Sequence, residues 1–211
     1  PPGLVHLRDR PWAETAAVVI ENATGEVVAL VGGYDVGLEG FVRATQAKRQ
    51  PGSSFKPFVY ANAVAQGVRQ SDVVVDAPFS IAGTNGLPWR PQNYDGKYHG
   101  AIPMRTAMAL SLNTVAVRLG LQYGVDNVTS LARALGVRTP LRGDLTVALG
   151  SSEVTLLHLT SAYGVFATGG WRCEPTTLFK VTDQSGAVLD RLHPRRERVL
   201  PAEAAFTMTN M

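Results

Sequence analysis

Two β-branched runs open the patterned part of the chain. Ala16-Ala17-Val18-Val19-Ile20 and Val27-Val28-Ala29-Leu30-Val31 flank the turn Asn22-Ala23-Thr24-Gly25, which predicts a β-hairpin between Ala13 and Gly33. A hairpin alone is marginal in water, so a helix has to cover its apolar face. The best cover is the stretch from Ser53 to Gln66, where Phe55, Phe58, Val59, Tyr60, Ala61, Ala63, Val64 and Ala65 put apolar groups on nearly every side. A helix apolar all round is a buried one. Gly67 ends it, and Pro57 falls in its first turn, where a missing N–H is best tolerated although the Ser53 carbonyl stands to lose a partner.

Residues 32–50 predict a loop leading into that helix. The stretch Ser71–Gly100, rich in Pro, Gly, Asp and Asn and carrying Trp89, Tyr94 and Tyr98, predicts a long loop. Such a loop is either functional or simply pinned down by its aromatic rings. Four helices follow: Ile102–Leu110, opening at a proline; Thr114–Gln122, closed by Gly124; one capped by Asp126 that runs to Ala134 before Gly136; and one capped by Ser152 that stops at Gly169-Gly170. A second hairpin joins 177–181 to 187–189 around Asp183-Gln184-Ser185-Gly186, and Pro201 is the first residue of a last helix towards Met211. Hairpins and a helical layer together make an α+β protein.

Composition narrows the classes. The chain has 211 residues, 45% of them apolar, which suits one large or two small globular domains. No run of eighteen apolar residues occurs and Pro1 to Arg10 lacks a signal-peptide shape, so neither a membrane span nor an export signal is expected in this stretch. A net charge of +3, with basic residues scattered apart from Arg195-Arg196-Glu197-Arg198, disfavours nucleic acid as a partner. Cys173 stands alone, which excludes an internal disulfide and a multi-cysteine metal site.

Candidate chemistry lies at the mouth of the apolar helix. Ser53 and Lys56 are three apart, a spacing that shares a helical face and brings a hydroxyl within reach of an amine. Such a pair arises by chance in a chain of this length; its weight comes from company. That company is Ser111-Leu112-Asn113, between two predicted helices, which reads either as a turn capping the second helix or as a second pair of active-site groups.

With both pairs in view, the chain resembles the transpeptidase domain of class A penicillin-binding proteins, the bifunctional peptidoglycan synthases. The resemblance is carried by Arg43-Ala44-Thr45-Gln46-Ala47, Arg49-Gln50-Pro51-Gly52-Ser53-Ser54-Phe55-Lys56-Pro57-Phe58, Gln92-Asn93-Tyr94-Asp95-Gly96-Lys97-Tyr98-His99-Gly100, Ala109-Leu110-Ser111-Leu112-Asn113-Thr114-Val115-Ala116-Val117 and Ala148-Leu149-Gly150-Ser151-Ser152-Glu153-Val154-Thr155. It runs from about Ala13 to Met211, leaving residues 1–12 as a linker from an upstream domain.

The resemblance implies a penicillin-binding/β-lactamase-like fold, with an antiparallel sheet packed against a helical layer around a buried nucleophile helix. It further implies Ser53 as nucleophile, Lys56 as base, Ser111 as proton relay to the leaving amine and Asn113 as a holder of the substrate amide. Peptidoglycan stem peptides ending in D-Ala-D-Ala would be substrates and β-lactams would acylate Ser53. No metal or organic cofactor is implied. The location would be extracytoplasmic, in the periplasm or at the outer face of the bacterial inner membrane, with a membrane-anchored parent.

Three departures qualify this. Val42 stands where the family usually has Asn, and the glycosyltransferase domain that the resemblance leads one to expect upstream is not among these 211 residues. The family's third motif, Lys-Thr-Gly, is absent: Lys48, Lys56, Lys97 and Lys180 are followed by Arg49, Pro57, Tyr98 and Val181. In the family that motif lends an oxyanion donor, worth about 3 kcal/mol, so these residues alone are expected to be a weak enzyme. The C-terminal strands are expected to be missing or on another chain, with Met211 a boundary inside an incomplete domain at 13–211. Two other readings stand beside this one. A serine β-lactamase needs a carboxylate base, yet no Glu-x-x-Leu-Asn occurs, Glu153 being followed by Leu156 and then Leu157. A non-catalytic sensor or scaffold of the same shape is supported only by the missing motif.

Overall fold

The computed structural model describes residues 13–34, 40–83, 86–192 and 194–211; the expected linker over 1–12 lies outside them. Its helices in chain order are α1 (Arg43–Gln46), α2 (Lys56–Ala65), α3 (Met104–Ala109), α4 (Asn113–Tyr123), α5 (Val125–Leu135), α6 (Leu156–Ala167) and α7 (Ala202–Asn210). A 3-10 turn, Gly52–Phe55, leads into α2.

The centre of the molecule is α2. Phe58, Val59, Tyr60, Ala61 and Ala63 have no exposed surface, and α4, α5 and α7 pack around them. Phe58 also meets Phe55, Tyr163 and Phe166, with ring centroids 5.0, 5.7 and 6.1 Å away. Full burial of such a ring stabilises by about 1.5–3 kcal/mol. The carbonyl of Ser53 keeps its partner despite Pro57, because it accepts the N–H of Lys56 at the end of the 3-10 turn.

Because helices already surround α2, the first hairpin is covered elsewhere. Ala17–Ile20 and Val27–Val31 pair antiparallel, from Ala17↔Val31 to Ile20↔Val27, and lie on α6, which corrects the expectation that α2 would cover them. Gly164 permits this approach: a Cβ there would stand 2.8 Å from Asn22 Oδ1.

The long stretch after Gly67 is not structureless. Val73–Asp76 pairs antiparallel with Gly100–Pro103, and Ile81–Ala82 pairs with Pro88–Trp89. The three valines at 73–75 were too short a run to register against their Pro- and Gly-rich surroundings. The pairing also takes Ile102 into a strand, so α3 starts two residues later than predicted, with Pro103 as its N-cap.

Three further antiparallel pairs complete the described residues: Lys48–Arg49 with Val154–Thr155, Trp171–Cys173 with Arg196–Arg198, and Lys180–Thr182 with Val188–Arg191. The α+β class holds, with the strands in six two-stranded pairs among the described residues. Caps differ in detail. Gly124, not Asp126, caps α5; Thr155 caps α6 by accepting from His158 N at 3.3 Å, while Ser152 accepts from Arg142 N at 2.8 Å; and Pro201 is the N-cap of α7, not its first residue. No helix among the described residues is long and apolar enough to cross a membrane.

Candidate active site

The turn that carries Ser53 is braced from below. Gly52 donates its N–H to the Gly150 carbonyl at 3.3 Å, and Gly150 adopts a left-handed conformation with φ 70°. A Cβ on Gly150 would stand 2.6 Å from the Gly52 nitrogen, so only glycine permits this contact. Ser53 itself is exposed, and its hydroxyl makes no hydrogen bond among the described residues.

One turn further on, Lys56 is only 3% exposed. Its Nζ donates to the Ser111 carbonyl, to Ser111 Oγ at 3.0 Å and to Asn113 Oδ1 at 2.6 Å. An ammonium has three N–H groups, and these acceptors use all of them. Burial pushes the Lys56 pKa down from 10.5 to about 8. A neutral amine has two N–H groups and a lone pair, so on losing a proton Lys56 keeps two of these contacts and gains a basic site.

Ser111 sits between α3 and α4 with φ 53°, a left-handed conformation unusual for a residue with a side chain. The turn is set by Ser111 N donating to the Met108 carbonyl at 2.9 Å and Leu112 N to that of Ala107 at 3.0 Å. It presents both the carbonyl and the hydroxyl of Ser111 to Lys56. Strain of this kind costs about 1–3 kcal/mol and concentrates at functional sites.

Asn113 is the first residue of α4, and its Nδ2 donates to the Gln92 carbonyl at 2.8 Å, which turns Oδ1 towards Lys56. Neither Ser111 nor Asn113 caps α4 with its own side chain. The cap comes from Asn93, whose Oδ1 accepts the N–H groups of Asn113 at 2.8 Å and Thr114 at 3.3 Å.

Behind this lies a group that the sequence did not single out. Asp76 has no exposed surface and accepts from Thr114 Oγ1, Asn93 Nδ2 at 2.8 Å, His99 N at 2.8 Å and His99 Nδ1 at 2.9 Å. Burial pushes its carboxyl up; the bonds from Thr114, Asn93 and His99 outweigh that and hold it below the usual carboxylate range. Its only signal in the sequence is its place at the end of Val73-Val74-Val75.

The structure thus brings Lys56, Ser111 and Asn113 into direct contact, with Ser53 on the preceding turn. A cavity of about 630 Å³, lined by Ile81, Trp89, Leu145 and neighbours, contains none of these four residues.

The family model for the penicillin binding protein transpeptidase domain matches residues 15–211. The chain is 43% identical over 187 residues to penicillin-binding protein 1A of Neisseria gonorrhoeae, covering 87% of this chain and 23% of that protein. It is 38% identical over 190 residues to penicillin-binding protein 1A of Rickettsia conorii, covering 90% and 24%. The chain therefore spans about a quarter of the length of these curated relatives. Among solved structures, penicillin-binding protein 1A from Haemophilus influenzae superposes with a TM-score of 0.87 at 29% identity, over 94% of this chain and 34% of the other. The PonA1 protein from Mycobacterium tuberculosis, in complex with penicillin V, gives 0.79 at 27%, over 91% and 53%.

Proposed function

The chain belongs to the penicillin-binding protein transpeptidase domain family, and from that premise we propose that it carries the acylating half of a D,D-transpeptidase. Ser53 Oγ attacks the carbonyl of the penultimate D-Ala of a peptidoglycan stem peptide. Its proton passes to neutral Lys56 Nζ and, through Ser111 Oγ, to the nitrogen of the terminal D-Ala, which leaves as a free amino acid. The acyl group on Ser53 is then taken by an amine of a neighbouring stem. The Asn113 amide orients Lys56 through Oδ1 and offers its remaining N–H to the substrate.

The observation that carries this reading is the threefold hold of Ser111 and Asn113 on a buried lysine one turn after an exposed serine. A positive charge near a helix N-terminus opposes the helix dipole, so the site favours the neutral amine that a base must be. The chain has no Lys-Thr-Gly; the oxyanion donor that this motif lends in the family would come from residues outside this stretch. The reading includes a domain from residue 13 onward, an extracytoplasmic site of action, a membrane-anchored parent and β-lactams as acylating inhibitors.

The test is a reaction of the full-length gene product with a synthetic stem peptide ending in D-Ala-D-Ala and an acceptor amine. Released D-Ala and a cross-linked product, both abolished by Ser53→Ala and by penicillin, are expected. Rapid hydrolysis of penicillin would instead support the β-lactamase reading, and neither release nor acylation would support the non-catalytic one.

A further inference from the structure

The start of α4 is held by a buried polar chain that the transpeptidation chemistry does not itself require. Asn93 Oδ1 accepts the first two N–H groups of α4, while its Nδ2 donates to Asp76 Oδ1 and to the Lys97 carbonyl, both at 2.8 Å. Asp76, on the strand Val73–Asp76, takes Thr114 Oγ1 from α4 and both donors of His99. One carboxylate thus ties together three segments distant in sequence. The next residue along α4 towards its start is Asn113, whose Oδ1 stands 2.6 Å from Lys56 Nζ.

We infer that Asp76 and Asn93 are positioning residues for acylation: their buried network fixes the start of α4 and so sets where Ser111 and Asn113 stand against Lys56. This rests on the roles given above to Ser53, Lys56, Ser111 and Asn113. Both residues are built for the task. Asn93 is 6% exposed with donors and acceptor engaged, and a buried amide so satisfied is rigid. Asp76 accepts four hydrogen bonds while fully buried, so loss of Asn93 leaves both a helix start and a carboxylate short of partners. The effect reaches the reaction through geometry, since a displacement of about 1 Å in a catalytic group can cost about 100-fold in rate.

The experiment measures acylation of the full-length gene product by a fluorescent penicillin, separating the rate constant at saturation from the half-saturating concentration across pH. Asn93→Ala is expected to lower the rate constant about 100-fold, to move the pH midpoint of acylation and to leave half-saturation nearly unchanged. Asn93→Asp, which sets two carboxylates face to face, is expected to be at least as slow. Combining Asn93→Asp with Asp76→Asn restores an amide-to-carboxylate bond, though not the N–H that Asn93 gives the Lys97 carbonyl, and is expected to recover part of the rate.

A purely structural role would reduce the fraction of molecules that label, not the rate constant or its pH dependence. Should Asn93→Ala not fold, Thr114→Val removes one donor from Asp76 and is expected to slow acylation with half-saturation unchanged. Wild-type labelling with undiminished rates in these variants, or a paired variant no faster than Asn93→Asp, would overturn the inference alone. Absence of a wild-type adduct on Ser53 would overturn the reading beneath it as well.

Discussion

Lys56 is the residue on which the proposed chemistry turns, and its environment sets two pH dependences. Burial lowers its pKa from 10.5 to about 8. Acylation that needs the neutral amine is expected to rise with pH and level off above about 8, a profile that stopped-flow labelling reads directly. Stability follows the same proton. Between about 8 and 10.5 the unfolded chain holds a proton that the folded chain has released, so this group makes unfolding harder as pH rises through that window and adds no slope below it. Denaturant unfolding at a series of pH values should show that slope, and Lys56→Met should remove it.

Ser111 offers a second separation of chemistry from strain. Ser111→Ala and Ser111→Gly both delete the hydroxyl proposed as the relay and should both slow acylation. Only alanine keeps the left-handed penalty, so the glycine variant should be the more stable by about 1 kcal/mol in denaturant unfolding.

Spacing in the sequence raised Ser53 with Lys56 as a candidate pair, and the family resemblance of the surrounding stretches added Ser111 and Asn113, because both motifs lie in short stretches. What spacing could not supply is that Lys56 is held by groups 55 and 57 residues away. Asp76 escaped notice for the same reason. Nothing local marks a carboxylate whose partners lie 17 to 38 residues along the chain.

At the scale of elements, the helices were the legible part. The apolar run after Ser53 and the glycines at 67, 124, 136 and 169–170 predicted α2, α4, α5 and α6 closely, since periodicity and stop signals are local. Packing partners were not, and the first hairpin lies on α6 and not on α2 because the helices crowd α2 first. Phe58→Ala would empty the centre of that arrangement and is expected to cost about 3–5 kcal/mol, measured by denaturant unfolding. The brace between Gly150 and Gly52 predicts a different signature. Gly150→Ala forces a Cβ against the backbone just before Ser53, so it should slow acylation as well as destabilise the fold by more than about 1 kcal/mol.

Over the whole molecule, the four candidate residues come from two neighbouring places in an otherwise helical core: the turn into α2 and the junction of α3 with α4. Family membership fits this plan, and the match over residues 15–211 spans the hairpins as well as the helices. The central claim is that Ser53 is the nucleophile and Lys56 its base. Peptide mapping of the full-length gene product after exposure to penicillin tests it most directly, by locating the added mass in wild type, Ser53→Ala and Lys56→Ala. A long-lived adduct on the peptide bearing Ser53, absent from Ser53→Ala and formed far more slowly in Lys56→Ala, is the predicted result. An adduct that persists in Ser53→Ala, or forms at the wild-type rate without Lys56, would contradict the account.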